Sequence, residues 1–372
     1  MDGKDASEYK GPLHQTGLGI HRVLRCRLVK PMTETTMDDV RARLEKIYAS
    51  GLPLFTKEGI GYAWEQIKRE VGPRRQRKVK SMGEEDGIEV RYICKELVLA
   101  YQARAHLLSH SKWRDDCDFK PEYSVLNPVF VCHEGYRMNP KTNKVLLPAP
   151  TLDAEFVIKT FQDSVQEWKE SQACKKLKSF LSASAKNHEI NKTIGFALGG
   201  ISRKWLEKDG SLRTRDLRRS ASQHGLLLTL KEWLQERDGI EEVPCCAQDP
   251  CYNSMDKQIL GEAGIELIDD PRAWLEVDEQ SMMISVAPNV PVKEIIADIA
   301  RPAVIIWCRV EFNDGLDDPL TDPDSPRVRA MLEGYELHEF APDQELFSDI
   351  VLYTRKSKTA VAPNVNQNVT CS

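Results

Sequence analysis

The chain has no run of about 18 apolar residues, so no membrane-spanning helix is expected. It lacks both G-x-G-x-x-G and G-x-x-x-x-G-K-[ST], which weakens a nicotinamide or ATP-dependent reading. It has no excess of positive charge. Its 52 basic and 57 acidic residues give a net charge of −5, which excludes a basic coat for nucleic acid over the whole surface, though not a local patch. None of the 10 cysteines forms a C-x-x-C pair. Cys245, Cys246 and Cys251 come nearest to a cluster, and no metal site or cofactor is expected. Scattered cysteines of this kind read as reduced thiols of a cytoplasmic protein. The opening MDGKDASEYKG is polar, so no secretory signal is expected.

What is present is an ordinary globular balance, 41% hydrophobic and 29% charged, over 372 residues. Residues 1–150 are expected to form a mainly helical accessory region. It contains a capping-box pattern at Thr36 and Asp39, a second helix over 56–71, and a helix within the apolar run 96–108. A short strand is expected over 125–131. The stretch Arg74-Arg-Gln-Arg-Lys78 reads as a solvated linker or a phosphate-contacting loop. Residues 151–356 are expected to hold a long leading helix over 151–187 and then alternating strands and helices, with 357–372 as a loose tail. Strand-like runs fall at 193–198, 243–247, 265–268, 282–287, 303–308 and 349–353. Their alternation with helices predicts an α/β fold of Rossmann-like type, a doubly wound and mostly parallel sheet.

In such sheets ligands bind beyond the carboxyl ends of the strands. That rule selects the loops beginning at Gly199, Gln248, Ile268 and Ala287. Gly199 and Gly200 allow close backbone approach to a ligand, and Ser202 follows as a candidate nucleophile or as a turn-capping hydroxyl. Asp249 and Tyr252 stand at the second loop as candidate acid and substrate contact. Asp269 and Asp270 stand at the third, where paired carboxylates suit a guanidinium or form a solvated turn. Arg203, Lys204, Arg213, Arg215, Arg218 and Arg219 cluster after the first loop. With Lys175, Lys176, Lys178 and the 74–80 run they read as a phosphate-tracking patch or as a salt-bridged surface.

The segment Ile194-Gly-Phe-Ala-Leu-Gly-Gly-Ile-Ser202, followed by Ser222-Gln223, Gln248-Asp-Pro-Cys-Tyr252, Asp256…Leu260…Gly264-Ile265 and Ala287-Pro288, resembles the sensitivity-to-red-light-reduced-like domain family. That resemblance implies a regulatory role without settled chemistry. The wider architecture, with Ser325-Pro-Arg-Val, Tyr335, Phe347 and Tyr353, also looks like the fungal arginine-containing cyclodipeptide synthases. The acidic signature DDxxE associated with that group has no counterpart here; the nearest paired acids are Asp38-Asp39 and Asp269-Asp270. The second resemblance implies an aminoacyltransferase that joins arginine and another amino acid into a diketopiperazine. Ser202 and Asp249 would be catalytic, and Gly199, Gly200, Tyr252, Asp269 and Asp270 would bind substrate. Arg74, Arg75, Arg77, Lys78, Arg203 and Lys204 would hold arginyl-tRNA and a second aminoacyl-tRNA. No DNA or membrane partner is implied, and the sequence leaves the oligomeric state open.

Overall fold

A computed structural model describes residues 37–68, 97–109, 128–133, 150–207, 209–311 and 321–357, together with the strand segments 14–16, 19–22, 27–28, 76–81, 84–91 and 136–138. Its centre is a seven-stranded, mostly parallel sheet. The strands are β1 (Lys192–Phe196), β2 (Cys245–Gln248), β3 (Glu266–Leu267), β4 (Ser281–Ser285), β5 (Val304–Cys308), β6 (Tyr335–His338) and β7 (Ile350–Arg355). They lie in the order β3-β2-β1-β4-β5-β7-β6. The strands β1 to β5 pair in parallel, and β7 runs antiparallel between β5 and β6. The chain moves outward from β1 to β3 and then returns to place β4 on the other side of β1. The direction of winding therefore reverses between β1 and β4.

The helices of this part are α1 (Ala154–Glu170), α2 (Gln172–Phe180), α3 (Thr214–Asp238), α4 (Ser254–Glu262), α5 (Arg272–Glu276), α6 (Val292–Ile299), α7 (Pro326–Leu332) and α8 (Gln344–Phe347). Both sheet faces are covered, which is why the central strands read as unbroken apolar runs. On one face Met282, Ile284, Val304 and Ile306 pack with Val157, Phe161, Leu226 and Leu230 of α1 and α3. On the other, Ile194, Phe196, Met283, Ile305 and Trp307 pack with Ile295 and Ile296 of α6 and Val328 of α7. Phe55 and Ile60, from the region before 150, join this second face. Asp298 holds them there, because its Oδ2 accepts from the backbone N–H of Leu54 at 2.7 Å and of Phe55 at 3.0 Å.

Several expectations change. The helix expected over 151–187 breaks at Ser171, whose backbone is extended and whose hydroxyl accepts from the N–H of Cys174, capping α2. The apolar run at 96–108 is a strand, Leu97–Tyr101, followed by a short helix, Arg104–Ser109. The strand pairs antiparallel with Val129–His133. A short apolar run has no period that separates strand from helix, so a partner strand decides. Gln76–Ser81, within the basic run, is a strand paired with Glu84–Arg91 rather than a linker. The described residues before 150 thus carry short sheets beside the helices. The Thr36 hydroxyl of the expected capping box lies outside the described residues, as do 358–372. Among the described residues no helix is long and apolar enough to cross a membrane.

Helices α1 and α3 make the closest helix pair, and Gly225 sets their separation. A Cβ there would meet Val165 Cα at 3.3 Å and Trp168 Cδ1 at 3.4 Å. Gly225→Val is expected to force the pair apart and to destabilise by about 2 kcal/mol. Urea unfolding with an unchanged midpoint would refute this.

Candidate functional site

The reversal of winding sets the loops after β1 and β4 side by side beyond the carboxyl ends of the strands, the general position of a ligand crevice in such sheets. The backbone there is unusual. Among the described residues, the non-glycine positions with positive φ are Ala197 (φ 55), Ala287 (φ 45), Ala341 (φ 50) and Ser348 (φ 57). Ala197 follows β1, Ala287 follows β4, Ala341 follows β6 and Ser348 precedes the antiparallel β7. All four therefore lie along the same edge of the sheet. Such residues cost about 1–3 kcal/mol each and gather at functional edges.

The loop after β1 is braced from below by α4 and its approach. Asp256, fully buried in the first turn of α4, accepts from the N–H groups of Ile201 and Ser202 through Oδ1, each at 2.9 Å. Its Oδ2 accepts from the N–H of Asn253 at 2.9 Å, completing a capping box with the Asn253 side chain. Asp249 accepts from the N–H of Gly199 at 2.9 Å and from the N–H of Cys251 at 2.9 Å. The backbone donors of Gly199, Ile201 and Ser202 are thus engaged by the protein's own carboxylates. The glycines answer to the same packing. A Cβ on Gly199 (φ +78) would meet Ser220 Oγ at 2.5 Å, and one on Gly200 would meet Asp256 Oδ2 at 2.9 Å.

Ser202 has no exposed surface, and its Oγ accepts from Asn253 Nδ2 at 2.7 Å. Its neighbour in the hydrogen-bond network is an amide, not a base. Gly199, Gly200, Asp249 and Tyr252 are half-buried at the crevice. Tyr252 reaches His224, which lies on α3: its OH is 2.8 Å from His224 Nε2, while His224 Nδ1 is 2.7 Å from the carbonyl of Ser220. A carbonyl only accepts, so Nδ1 carries the proton and Nε2 accepts from the phenol. Burial pulls the His224 pKa down to about 4, against the Ser220 carbonyl and the nearby carboxylates of Asp249 and Asp256, which push it up. Burial also lifts the Tyr252 hydroxyl well above its ordinary value, and the Asp249 charge adds to this. The Cys251 thiol is raised for the same two reasons.

Asp269 and Asp270 separate. Asp269 is exposed. Asp270 turns inward, and its Oδ1 accepts from Tyr101 OH at 2.8 Å, Gln248 Nε2 at 2.8 Å and Trp274 Nε1 at 3.1 Å. Burial raises its pKa to about 6, although the Tyr101 and Trp274 hydrogen bonds pull the other way. It therefore ties β2, α5 and the strand Leu97–Tyr101 together. Arg203 is half-buried near Cys251, and Lys204 is exposed. Arg74 and Arg75 lie outside the described residues, while Arg77 and Lys78 fall on the strand Gln76–Ser81. Part of the basic cluster is paired with acids: Arg213 with Asp216 at 3.0 Å, Arg218 with Glu167 at 2.8 Å, and Lys178 with Glu236 at 3.8 Å.

The opposite wall was not foreseen. Lys293, in the first turn of α6, is buried and ion-paired with Asp324, and its N–H donates to Asp322 Oδ1 at 2.9 Å. Burial pulls the Lys293 pKa down, but Asp322 and Asp324 outweigh it and hold it high. Burial lifts Asp322 to about 7 against the pull of Lys293. Cys308, half-buried at the end of β5, takes a hydrogen bond from the backbone of Ala287. Arg219 reaches Ser348 Oγ at 3.1 Å. Lys293 reads as one polar position of an amphipathic helix, and its two acids come 29 and 31 residues later, so no local pattern reveals the triad. Among the described residues no group of three or more His, Cys, Asp or Glu side chains is arranged to hold a metal ion.

Two measurements follow. Asp256→Ala leaves three backbone N–H groups without their charged acceptor and is expected to destabilise by about 3 kcal/mol or more. Amide exchange at Ile201, Ser202 and Asn253 should accelerate with it; unchanged protection there would contradict the bracing. For His224 the folded pKa lies below the free value of 6.5, so its contribution to stability is present above pH 6.5 and is lost as pH falls towards about 4. The stability gap between the native chain and His224→Gln should therefore narrow over that interval in urea titrations. A gap independent of pH would show that the ring is not held neutral.

Searches among curated proteins and solved structures return no match. None of the comparisons brings in the cyclodipeptide synthases. The family model of the SRR1 domain (sensitivity to red light reduced) matches residues 158–354, more than half of the chain and all seven strands of the central sheet. The chain belongs to the SRR1-domain family.

Proposed function

We propose that the protein is a non-catalytic regulatory member of the SRR1-domain family, working by reversible binding at the carboxyl edge of a Rossmann-like sheet in the cytoplasm. The state of Ser202 carries this reading. Its hydroxyl is closed off from solvent and held by the Asn253 amide, and the N–H groups of Gly199, Ile201 and Ser202 that would steady an acyl intermediate already serve Asp249 and Asp256. Of the neighbouring groups, Cys251 and Tyr252 keep their hydrogens, and the acceptor nitrogen of the neutral His224 is taken by the Tyr252 phenol. What the crevice offers is a set of acceptors. The Tyr252 O–H donates to His224 while its oxygen keeps its lone pairs, and the Asp249 carboxylate is half-buried at the same edge. That set suits a ligand that donates hydrogen bonds.

The cyclodipeptide-synthase reading makes the opposite prediction, with Ser202 and Asp249 catalytic, Ser202 accepting an arginyl group from tRNA, and Asp269 and Asp270 holding its side chain. Incubating the purified chain with arginyl-tRNA decides between them. The expected result is no discharge above the blank, no mass adduct on the protein, and no arginine-bearing cyclic dipeptide on co-expression in a bacterial host. An adduct or a cyclic dipeptide that disappears in Ser202→Ala would overturn the regulatory reading. In its absence, Ser202→Ala is expected to do no more than remove the Asn253 partner, a loss of about 1 kcal/mol.

A further inference from the structure

At the other end of the sheet, beside the amino end of β5, lies an open cleft of about 800 Å³. One wall comes from Tyr48 and Pro53, in the region before 150, and the other from Arg301, Arg327, Tyr335 and Arg355. Its charges are unevenly matched. Arg327 is paired with Asp298 at 2.9 Å, and Asp298 also accepts from the Leu54 and Phe55 amides, so these two groups neutralise each other. Arg301 and Arg355 have no carboxylate partner among the described residues. Both are nevertheless fixed. Arg301 Nη1 donates to the carbonyls of Ala297 and Ala300, each at 2.7 Å, and Arg355 Nη1 donates to the carbonyl of Arg301. Lys356 Nζ, nearby, donates to the carbonyl of Glu333 at 2.8 Å. Against Arg301 and Arg355 the lining sets one further carboxylate, the exposed Glu333, and Lys356 lies outside the lining.

Two guanidinium groups that line one cleft without a carboxylate partner among the described residues attract an anion, and each has N–H donors beyond the engaged Nη1. Planar forks of this kind match phosphoryl oxygens in pairs. From this geometry we infer that the cleft binds the phosphoryl group of a small soluble phosphate ester, with Arg301 and Arg355 as its anchors. A dianion answers two uncompensated cations better than a monocarboxylate does. A concave space of this size takes a small molecule rather than a folded partner. Because the cleft joins the segment around Tyr48 to the SRR1 domain, its ligand would clamp the two together. The inference stands apart from the reading of the crevice, since the two sites share no residue.

Calorimetric titration of the full chain with inorganic phosphate, pyrophosphate and AMP at low and physiological salt tests it. Saturable binding that weakens with salt is expected. Tighter binding of AMP than of phosphate would show that the cleft holds the organic part of an ester as well. Arg355→Gln should weaken binding about tenfold, and the double variant Arg301→Gln, Arg355→Gln should abolish it while circular dichroism stays unchanged. Because Arg301 also serves the end of α6, Glu333→Gln gives an independent reading on an exposed side chain. Removing that negative charge should tighten binding about two- to threefold at low salt. No saturable binding of any of the three probes to the native chain at low salt would overturn the proposal. So would binding that survives unchanged in a folded double variant.

Discussion

The carboxylate of Asp256 is the contact on which the carboxyl edge depends. It lies in the first turn of α4, without solvent exposure, and takes three backbone N–H groups from two segments more than fifty residues apart in sequence. The charge sits where a bound anion would sit in a phosphate-binding loop, at the mouth of a backbone nest. Here the anion is part of the chain. The turn after β1 therefore holds its shape without a ligand, and the glycines that shape it face Ser220 and Asp256 rather than open space. Asp249 repeats the device one step along the edge, joining Gly199 to Cys251.

Legibility in the sequence followed solvent exposure. Val304–Cys308 could be read nearly residue for residue, because a strand buried on both faces leaves an unbroken apolar run. Tyr335–His338 could not, since it is an edge strand whose middle residues, Glu336 and Leu337, are exposed. Leu97–Tyr101 was misread as helix because nothing local reveals its partner at Val129–His133. At the carboxyl edge, the rule about strand ends led to the loops that carry Gly199, Gly200, Asp249 and Tyr252, which the fold brings together. It missed what those residues do. Ser202 is hydrogen-bonded to Asn253 and Asp256, 51 and 54 residues away, and pairings of that range have no spacing rule. Asp269 and Asp270 look alike in sequence, yet one faces water and the other is gripped by three donors.

The two ends of the sheet are built on contrasting terms. The carboxyl edge concentrates backbone strain and buried acids, and its reactive groups are restrained in pairs. The amino edge has no positive-φ residue among its described loops before β5 and β6, and carries guanidiniums anchored by carbonyls. Asp298 links that edge to the earlier part of the chain through Arg327 and the Leu54 and Phe55 amides. The segment before 150 is thus not a loose appendage at this point. Phe55 is wholly buried against the sheet's second face, and Tyr48 lies between Arg104 and Arg327.

The antiparallel β7 sets the order in which the protein can be completed. It lies between β5 and β6 in the sheet, yet it leaves the ribosome after both. Until Ile350–Arg355 has emerged, β5 presents an open, strongly apolar edge and β6 has no neighbour at all. Nascent chains therefore pass through an interval in which a central strand is exposed to pairing with other chains. Because the final insertion lays down ladder bonds on both sides at once, the sheet closes in a single late step, and the last strand made is the keystone of the half of the sheet beyond β4.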